Sequence, residues 1–359
     1  MTAIYSARGD GLGTRMLAAI YGRILAELLE LPLTVIWPPL GGADLYAGYA
    51  LMHPDHLSEI FADRSLFTDS KAGLNGAILL NAELGDVRLQ SAYHSQAEIS
   101  GLSRGELLAR LSDVDGLLYD FPGPLIAFMS TEVDLKRACI AAWSKVNWSD
   151  SVREAVEAVD ARIDLSTCIA AHVRRGDILD VVNRGDLEHL VNDGMMQILQ
   201  RYTPINAFFR QIDTSGATGG ILVCTEDEGV IRRFCDRYGK ARIASSMALD
   251  LTENQRAATD LLLLSRAKRI VAPVVSYFST CAAAVSEAEL TNTTWHLEAS
   301  IDEITSLIDR TDPERVRKVS AIMNAAACRL VIGHEPDRAA RFRARAIAFD
   351  EGLYRRVMP

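Results

Sequence analysis

Hydrophobic positions along this chain form short apolar runs that alternate with longer stretches of helical periodicity. Residues 3–6 are a short apolar run, 9–13 are rich in glycine, 14–31 carry an apolar stripe, and 33–37 are apolar again. Short apolar runs predict buried strands, and a period near 3.6 residues predicts a helix. The beginning of the chain therefore predicts a strand, a tight loop, a helix and a second strand.

The same alternation continues to about residue 300. The other predicted strands are 77–80, 116–119, 168–173, 221–224, 242–244 and 270–272. The other predicted helices before residue 300 are 55–61, 132–145, 152–161, 195–202, 229–238 and 259–268. Strands that alternate with helices indicate parallel sheets covered by helices on both faces, which is an α/β fold.

Three segments are predicted from this pattern and from the length of 359 residues, which is too long for one ordinary core. The first is an α/β domain over 1–150, and the second is a Rossmann-like domain over 151–300. A capping box of Ser151 and Glu154 would start the helix at their boundary. The third segment, 301–359, is wholly helical, and its last helix would begin at Pro336.

Composition narrows the function classes. The net charge is −9, and no basic domain or tail stands out, which argues against a general nucleic-acid binder or a binder of anionic membranes. The six cysteines show no zinc-ligand spacing and no disulfide framework, which suits a reducing cytoplasm. The apolar segment 16–37 is interrupted by Arg23, Glu27, Glu30 and Pro32 and cannot span a bilayer. We expect a cytoplasmic protein without an integral membrane segment.

The most informative motif follows the predicted strand 168–173. Residues 172–177 read His-Val-Arg-Arg-Gly-Asp and place Arg174 and Arg175 at the end of a buried strand. Ligands of open α/β sheets bind beyond the carboxyl ends of the strands, and a guanidinium group matches phosphate oxygens two at a time. The motif predicts a phosphate site. The alternative is that one arginine is a surface charge and the other pairs with Asp177 or Asp180.

A glycine loop precedes the first helix and contains Gly11, Gly13, Thr14 and Arg15. Free N–H groups at such a helix start can bind an anion. The loop lacks the Lys-Ser/Thr of a P-loop, and Thr14 stands where the dinucleotide fingerprint has its third glycine, so a nicotinamide or flavin site is not expected. The alternative is a tight turn that packs a strand against a helix.

Polar groups also follow other predicted strands. These are Thr225 and Asp227 after 221–224, and a turn after 270–272 that contains Ser276, Tyr277, Phe278 and Ser279. Asp260 is expected to open a helix ahead of four leucines. Ordinary helix capping explains Thr225, Asp227, Ser276 or Ser279 equally well. No metal site is expected at the acidic run 226–228.

Read in order, these four segments resemble those of the fucosyltransferase superfamily, which comprises α1,2-, α1,6- and protein O-fucosyltransferases. Residues 172–177 look like the H-x-R-R-x-D motif of that family, and the others fall where it has a glycine loop, a T-D motif and a D-L-x-x-x-S helix followed by an S-S-F-S turn. Thr14-Arg15 stands in place of the usual Asn-Gln, and Tyr277 in place of the second serine.

The resemblance implies a GT-B-like fold, in which two Rossmann-type domains face each other across a cleft and the second binds GDP-fucose without a metal or other cofactor. Arg174 would then bind the β-phosphate, and His172 and Asp260 would approach the guanine. The donor site would be lined by the remaining predicted residues, which are Gly11, Gly13, Arg15, Arg175, Thr225, Asp227, Ser276, Tyr277, Phe278 and Ser279.

The resemblance implies an inverting transfer of fucose to a hydroxyl of a glycan or glycolipid, with the acceptor on the side of the first domain. Arg174 would stabilise the leaving GDP, and a carboxylate would act as the base. The candidates are Asp177, Asp180, Asp186 and Glu188, of which Asp177 is preferred. Alternatives are the same fold with another nucleotide-sugar donor, or a non-catalytic protein that binds sugar nucleotides or glycans. The sequence does not predict the acceptor, the linkage or the oligomeric state.

Overall fold

The computed structural model describes residues 2–8, 11–37, 54–65, 67–68, 78–79, 96–216, 218–294 and 296–358. Within these ranges the strands are β1 (Ala3–Ala7), β2 (Leu33–Ile36), β3 (Phe67–Thr68), β4 (Ile78–Leu79), β5 (Gly116–Leu118), β6 (Ile169–His172), β7 (Ile221–Cys224), β8 (Ile243–Ala244), β9 (Arg269–Ala272) and β10 (Glu289–Asn292).

The helices in the same ranges are α1 (Leu12–Leu29), α2 (Leu57–Ile60), α3 (Gln96–Ser100), α4 (Arg104–Leu111), α5 (Ala127–Glu132), α6 (Leu135–Ser144), α7 (Asp150–Asp160), α8 (Gly176–Arg184), α9 (Leu187–His189), α10 (Met195–Arg201), α11 (Ile205–Thr214), α12 (Glu228–Tyr238), α13 (Glu253–Arg266), α14 (Tyr277–Ala284), α15 (Leu297–Leu307), α16 (Pro313–Val331) and α17 (Pro336–Val357). Short 3-10 turns cover Pro54–His56, Lys240–Arg242 and Ser246–Ala248, and Leu190–Gly194 is a π-helical turn.

The strands form two parallel sheets. The first has the order β3-β2-β1-β5-β4, and the second has the order β10-β9-β6-β7-β8. The second order corresponds to 3-2-1-4-5 when its strands are counted along the chain, which is the Rossmann order. All four residues of β6 and of β7 are buried, as expected of parallel strands with helices on both faces.

Side chains of the second sheet alternate between two cores. Ala170 and Leu222 face a core that also contains Ile4 and Leu17 of the first domain. Ile169 and Val223 face the opposite core, which is built with α11 and α12. The first core is therefore continuous between the two sheets, and the two domains pack directly on each other through α1, α13 and α14.

The helices after residue 300 have a hydrophobic core of their own with α8 and α10. The helix α16 packs along α17 and also on α10 and α15, so these helices form a third layer beside the second sheet. The structure confirms the predicted α/β fold with two Rossmann-type domains and a C-terminal helical segment. The predicted boundary at residue 150 stays a prediction.

Two helix starts differ from the sequence prediction. The helix α7 begins after Ser149 rather than at a capping box of Ser151 and Glu154. The helix α13 begins after Thr252, whose side chain accepts from the backbone N–H of Gln255 in a capping box. Asp260 therefore lies inside α13 and does not open it. None of the helices that the structure describes is long and apolar enough to cross a membrane.

Candidate functional site

The connections of the second sheet define where a ligand can bind. From β6 the chain proceeds to β7 and β8 on one side, and β9 and β10 lie on the other side of β6. The direction of the chain therefore reverses between β6 and β9. In open parallel sheets, ligands bind beyond the carboxyl ends of the strands at such a point. The two segments that meet there begin at His172 and at Pro273.

His172 joins these two segments. Its Nδ1 lies 2.7 Å from Oγ of Ser279 and 3.2 Å from Oγ of Ser276, and its ring centroid lies 5.0 Å from that of Phe278. Burial, with a smaller effect of the nearby Arg174 charge, lowers the pKa of His172 to about 3. The imidazole is therefore neutral near pH 7, where it can make hydrogen bonds but is a weak base.

The two arginines of the motif have different surroundings. Arg174 is partly buried, and its charge acts on His172. Arg175 is only 2% exposed and donates to the carbonyl oxygens of Arg174 at 2.9 Å and Thr203 at 2.8 Å. It also lies 3.2 Å from Oε1 of Glu303. These contacts occupy both terminal nitrogens of Arg175 with protein groups, and its role in binding the donor stays a prediction.

The starts of α1 and α14 meet at the site. A Cβ atom on Gly13 would lie 2.4 Å from Cα of Phe278, so this contact requires glycine. Gly11 is the N-cap of α1 and provides no side-chain cap, whereas Ser276 caps α14 by accepting from the N–H of Ser279. Helix starts carry a partial positive charge from their free N–H groups. Two such starts in contact favour an anionic ligand.

Arg15 and Tyr277 are the other predicted residues of these two helices. Arg15 is 2% exposed, and its Cζ lies 4.8 Å from the ring centroid of Trp37. Tyr277 is 48% exposed. Arg15 is therefore buried within the first domain, whereas the Tyr277 side chain is exposed to solvent.

Asp260 lies next to the carboxyl ends of β7 and β8. Cys224, which pairs in register with His172, has its sulfur 3.9 Å from the carbonyl oxygen of Asp260. Burial raises the pKa of the Asp260 carboxyl to about 7, and repulsion by Glu226 adds to this. The nearby hydroxyl of Ser246 partly opposes the shift, although neither Asp260 Oδ1 nor Ser246 Oγ makes a hydrogen bond of good geometry within the described ranges.

Thr225 and Asp227 follow β7 and form the start of α12. Oγ1 of Thr225, which is buried, accepts from the N–H of Asp227 at 3.3 Å. Oδ1 of Asp227 accepts from the N–H of Gly229 at 2.6 Å. Asp227 therefore caps α12, which is the alternative that the sequence left open, and Thr225 bonds the backbone of the turn before it.

The acidic residues after the motif have varied positions. Asp177 lies in α8, and its side chain falls outside the described residues, as do Gly9 and Asp10 of the glycine loop. Asp180 is exposed on α8. Asp186 caps α9, and Glu188 pairs with Arg356 of α17. Asp186 and Glu188 thus have structural partners away from the β6–β9 edge.

Three polar residues at the edges of the two sheets were not predicted from the sequence. Ser246 is fully buried after β8. In the first sheet the chain reverses between β1 and β5, and there Nη1 of Arg8 donates to the carbonyl oxygen of Asp120 at 3.0 Å. Asp120 is 3% exposed. Each of these residues comes within two positions of the end of its strand, and that position was the signal available in the sequence.

Comparison with known proteins gives distant structural likenesses only. No protein-family model and no curated protein matches the chain. The fucosyltransferase NodZ from Bradyrhizobium is 12% identical, with 80% of this chain and 93% of that chain covered and a TM-score of 0.45. POFUT1 in complex with GDP-fucose is 12% identical, with 81% and 98% covered and a TM-score of 0.43.

At this degree of similarity the likenesses assign neither a family nor an activity. Among the residues described, no three His, Cys, Asp or Glu side chains come together as metal ligands would. What the structure brings together is His172, Ser276, Phe278 and Ser279 at the β6–β9 reversal, beside Arg174 and the start of α1.

Proposed function

We propose that this protein is an inverting glycosyltransferase that takes its sugar from a nucleotide-sugar donor, with GDP-fucose as the first candidate. The observation that carries the proposal is the contact between two helix starts, α1 and α14, beside Arg174 at the β6–β9 reversal. Helix starts and a guanidinium group together suit a diphosphate. The choice of GDP-fucose rests on the motif resemblance of residues 172–177.

Arg174 has the central chemical role in this proposal. When the bond between the sugar and the diphosphate breaks, negative charge develops on the leaving group. A fixed guanidinium aimed at that charge stabilises the transition state, and losing one such group commonly costs about a hundredfold or more in rate. We assign this role to Arg174 and propose that the reaction needs no metal. Arg175 supports the backbone of the loop between β6 and α8 by its hydrogen bond to the carbonyl oxygen of Arg174.

The nucleobase would bind beside Asp260 and Ser246. Both side chains are buried and have oxygen atoms that lack a hydrogen-bond partner in the described structure, and such atoms are costly unless a ligand satisfies them. A carboxylate oxygen matches the N–H groups on the edge of guanine. The neutral His172 would contribute hydrogen bonding rather than proton transfer.

The acceptor would bind on the side of the first domain, a hydroxyl of a glycan or glycolipid being the expected group. The first sheet has its own reversal between β1 and β5, and Asp120 lies at that edge. We propose Asp120 as a candidate base that removes the proton of the attacking hydroxyl. Asp177 remains the other candidate, since Asp186 and Glu188 are engaged elsewhere and Asp180 is exposed on α8.

Donor binding is tested by thermal shift with GDP-, UDP-, ADP-, CMP- and dTDP-sugars. A donor at a hundred times its Kd would stabilise the protein by about 2.7 kcal/mol. We expect stabilisation by GDP-sugars, and release of GDP when an acceptor or water attacks. Stabilisation by another nucleotide sugar alone would contradict the GDP assignment.

Catalysis is tested with Arg174→Ala, and Arg341→Ala on the exposed face of α17 is the matched control. We expect the first variant to lose about a hundredfold or more in transfer and hydrolysis while keeping some donor binding. The control should behave as the wild type. A wild-type protein that binds a nucleotide sugar but never releases the free nucleotide would instead be a binding protein.

A further inference from the structure

Glu303 of α15 connects the C-terminal helices to the motif at residues 172–177. Its side chain is 14% exposed. Oε1 lies 3.2 Å from Nη2 of Arg175 and accepts from the hydroxyl of Tyr202 at 3.1 Å. Oε2 accepts from the backbone N–H of Ile205 at 3.1 Å. Both carboxylate oxygens are thus used, and Arg233 approaches Oε1 at 3.5 Å from the more exposed side.

Arg175 is held from several directions. Its Cζ lies 4.2 Å from the ring centroid of Tyr202, which is the geometry of a cation–π contact. Its two terminal nitrogens donate to the carbonyl oxygens of Arg174 and Thr203. Among the residues that the structure describes, Glu303 is the carboxylate that lies within ion-pair distance of this buried charge. A buried guanidinium requires such a counter-charge.

The hydrogen bond from Arg175 to the carbonyl oxygen of Arg174 has a mechanical consequence. It fixes the peptide group that directly follows the Arg174 side chain, in the loop between β6 and α8. Removal of the Glu303 charge would leave Arg175 buried without its counter-charge, and the guanidinium would move toward solvent. The peptide group of Arg174 would then lose its support.

We propose that Glu303 is a positioning residue for catalysis. It holds Arg175, and Arg175 holds the backbone that directs Arg174 at the leaving diphosphate. The inference rests on the proposed function of Arg174. It also gives the helical segment after residue 300 a part in the site, because Glu303 lies 128 residues from Arg175 and belongs to that segment.

The first test measures the order of the loop without any ligand. Hydrogen exchange of the backbone amides of 174–176 is compared in the wild type, Glu303→Gln and the matched control Glu298→Gln. Glu298 lies on the same helix and pairs with Arg338 at 2.6 Å, away from the motif. We expect exchange at 174–176 to become at least about tenfold faster in Glu303→Gln only. Unchanged exchange would overturn the proposal, whatever the donor is.

The second test is kinetic. A displacement of about 1 Å at a catalytic group can cost about a hundredfold in rate. We therefore expect Glu303→Gln to lower kcat by about tenfold to a hundredfold, with the KM for the donor changed by less than about threefold. Glu298→Gln should change neither. If Glu303→Gln does not fold, Glu303→Asp replaces it and should give a smaller loss of kcat, because the charge is kept.

A double variant separates positioning from general stability. In an Arg174→Ala background, Glu303→Gln should lower kcat no further, because the group that it positions is gone. If Glu303→Gln lowered kcat in the Arg174→Ala background by the same factor as in the wild type, the proposal would be overturned. A wild-type protein that binds no nucleotide sugar would contradict the proposed function, while the hydrogen-exchange result would still decide whether Glu303 orders the loop.

Discussion

Gly13 and Phe278 touch through their backbones, and this contact joins the two domains at the candidate site. A Cβ atom on residue 13 would lie 2.4 Å from Cα of Phe278 and 2.8 Å from its nitrogen. Backbone atoms cannot rotate aside as a flexible side chain can. The start of α1 and the start of α14 can therefore meet as they do only when residue 13 has no side chain.

Gly13→Ala is expected to lower both stability and nucleotide binding. Forcing an extra carbon into a packed contact commonly costs about 1–3 kcal/mol. The matched control for stability is Gly11→Ala, because none of the described residues lies within 4 Å of a Cβ at residue 11 and its φ of −64° is ordinary for any residue. Chemical denaturation and thermal shift with GDP measure the two effects. Equal losses of stability in Gly13→Ala and Gly11→Ala would contradict the contact between residue 13 and Phe278.

Stability should fall in acid because His172 is neutral in the folded protein. The pKa of His172 in the folded protein is about 3, whereas an ordinary histidine has a pKa near 6.5. The stabilisation is therefore fully present above about pH 6.5 and is lost as the pH falls toward about 3, where the unfolded chain binds a proton that the folded chain excludes. This group contributes a slope of at most about 1.4 kcal/mol per pH unit.

His172→Gln should flatten the decline of the unfolding free energy between pH 6 and about 4. Urea denaturation at several pH values measures it. His334→Gln is the control, because His334 is exposed near the start of α17. If the unfolding free energy of His172→Gln declined with falling pH as steeply as that of the wild type, His172 would not be the cause of the decline.

Nucleotide binding should release a proton through Asp260. Its pKa is raised to about 7, so much of the carboxyl is protonated at pH 6 in the free protein. A nucleobase that donates N–H groups favours the carboxylate and lowers this pKa, since hydrogen bonds to the charged form stabilise it. Calorimetry of GDP binding at pH 6 in buffers of different ionisation enthalpy measures the released proton, and Asp260→Asn should abolish the buffer dependence.

Asp260→Asn also has a predicted effect on stability alone. A raised pKa means that the stabilisation is present below about pH 4 and is lost as the pH rises through about 7. The variant should therefore gain stability relative to the wild type between about pH 4 and 7. If the difference in unfolding free energy between Asp260→Asn and the wild type stayed constant across that range, the raised pKa of Asp260 would be contradicted.

Thr252→Ala should cost more than the loss of a helix cap. Thr252 caps α13 and also donates to Oε2 of Glu59 in the first domain at 2.6 Å. Ser103 forms a comparable capping box on α4 and makes no bond to the described part of the other domain, so Ser103→Ala is the control. A cap is worth about 1 kcal/mol, and the bond to Glu59 should add about 0.5–1 kcal/mol at this partly exposed position.

The charge of Glu59 provides a second readout of the Thr252 contact. The hydrogen bond from Thr252 holds the pKa of this carboxyl below its usual value. In Thr252→Ala that pKa should rise, which NMR titration of the side chain measures. An unchanged pKa would show that the two residues do not interact in solution.

Much of the fold could be predicted from local pattern. The apolar runs at 168–173 and 221–224 became buried strands β6 and β7, because parallel strands are buried on both faces and their sequence shows it. The glycine loop and the turn at Ser276 were both placed at helix starts, as their residue types favour. The start of α13 was placed too late, since the leucines after Asp260 concealed the capping box at Thr252.

Roles of individual side chains could not be predicted in the same way. Arg174 and Arg175 are adjacent and identical in type, yet only Arg175 is enclosed by Glu303 and Tyr202. Asp227 could have faced a ligand or capped a helix, and it caps α12. Such outcomes depend on partners that are distant in sequence.

Local periodicity was enough to predict the strand–helix alternation, the two sheets and the strand end that carries His172 and Arg174, because each of these follows from a pattern within a few residues. The folded chain was needed to show that Gly13 meets Phe278, that Asp260 is buried with a raised pKa, and that Glu303 neutralises Arg175. The physical reason is that burial and charge pairing depend on which distant segments are packed together, and chain folding sets this.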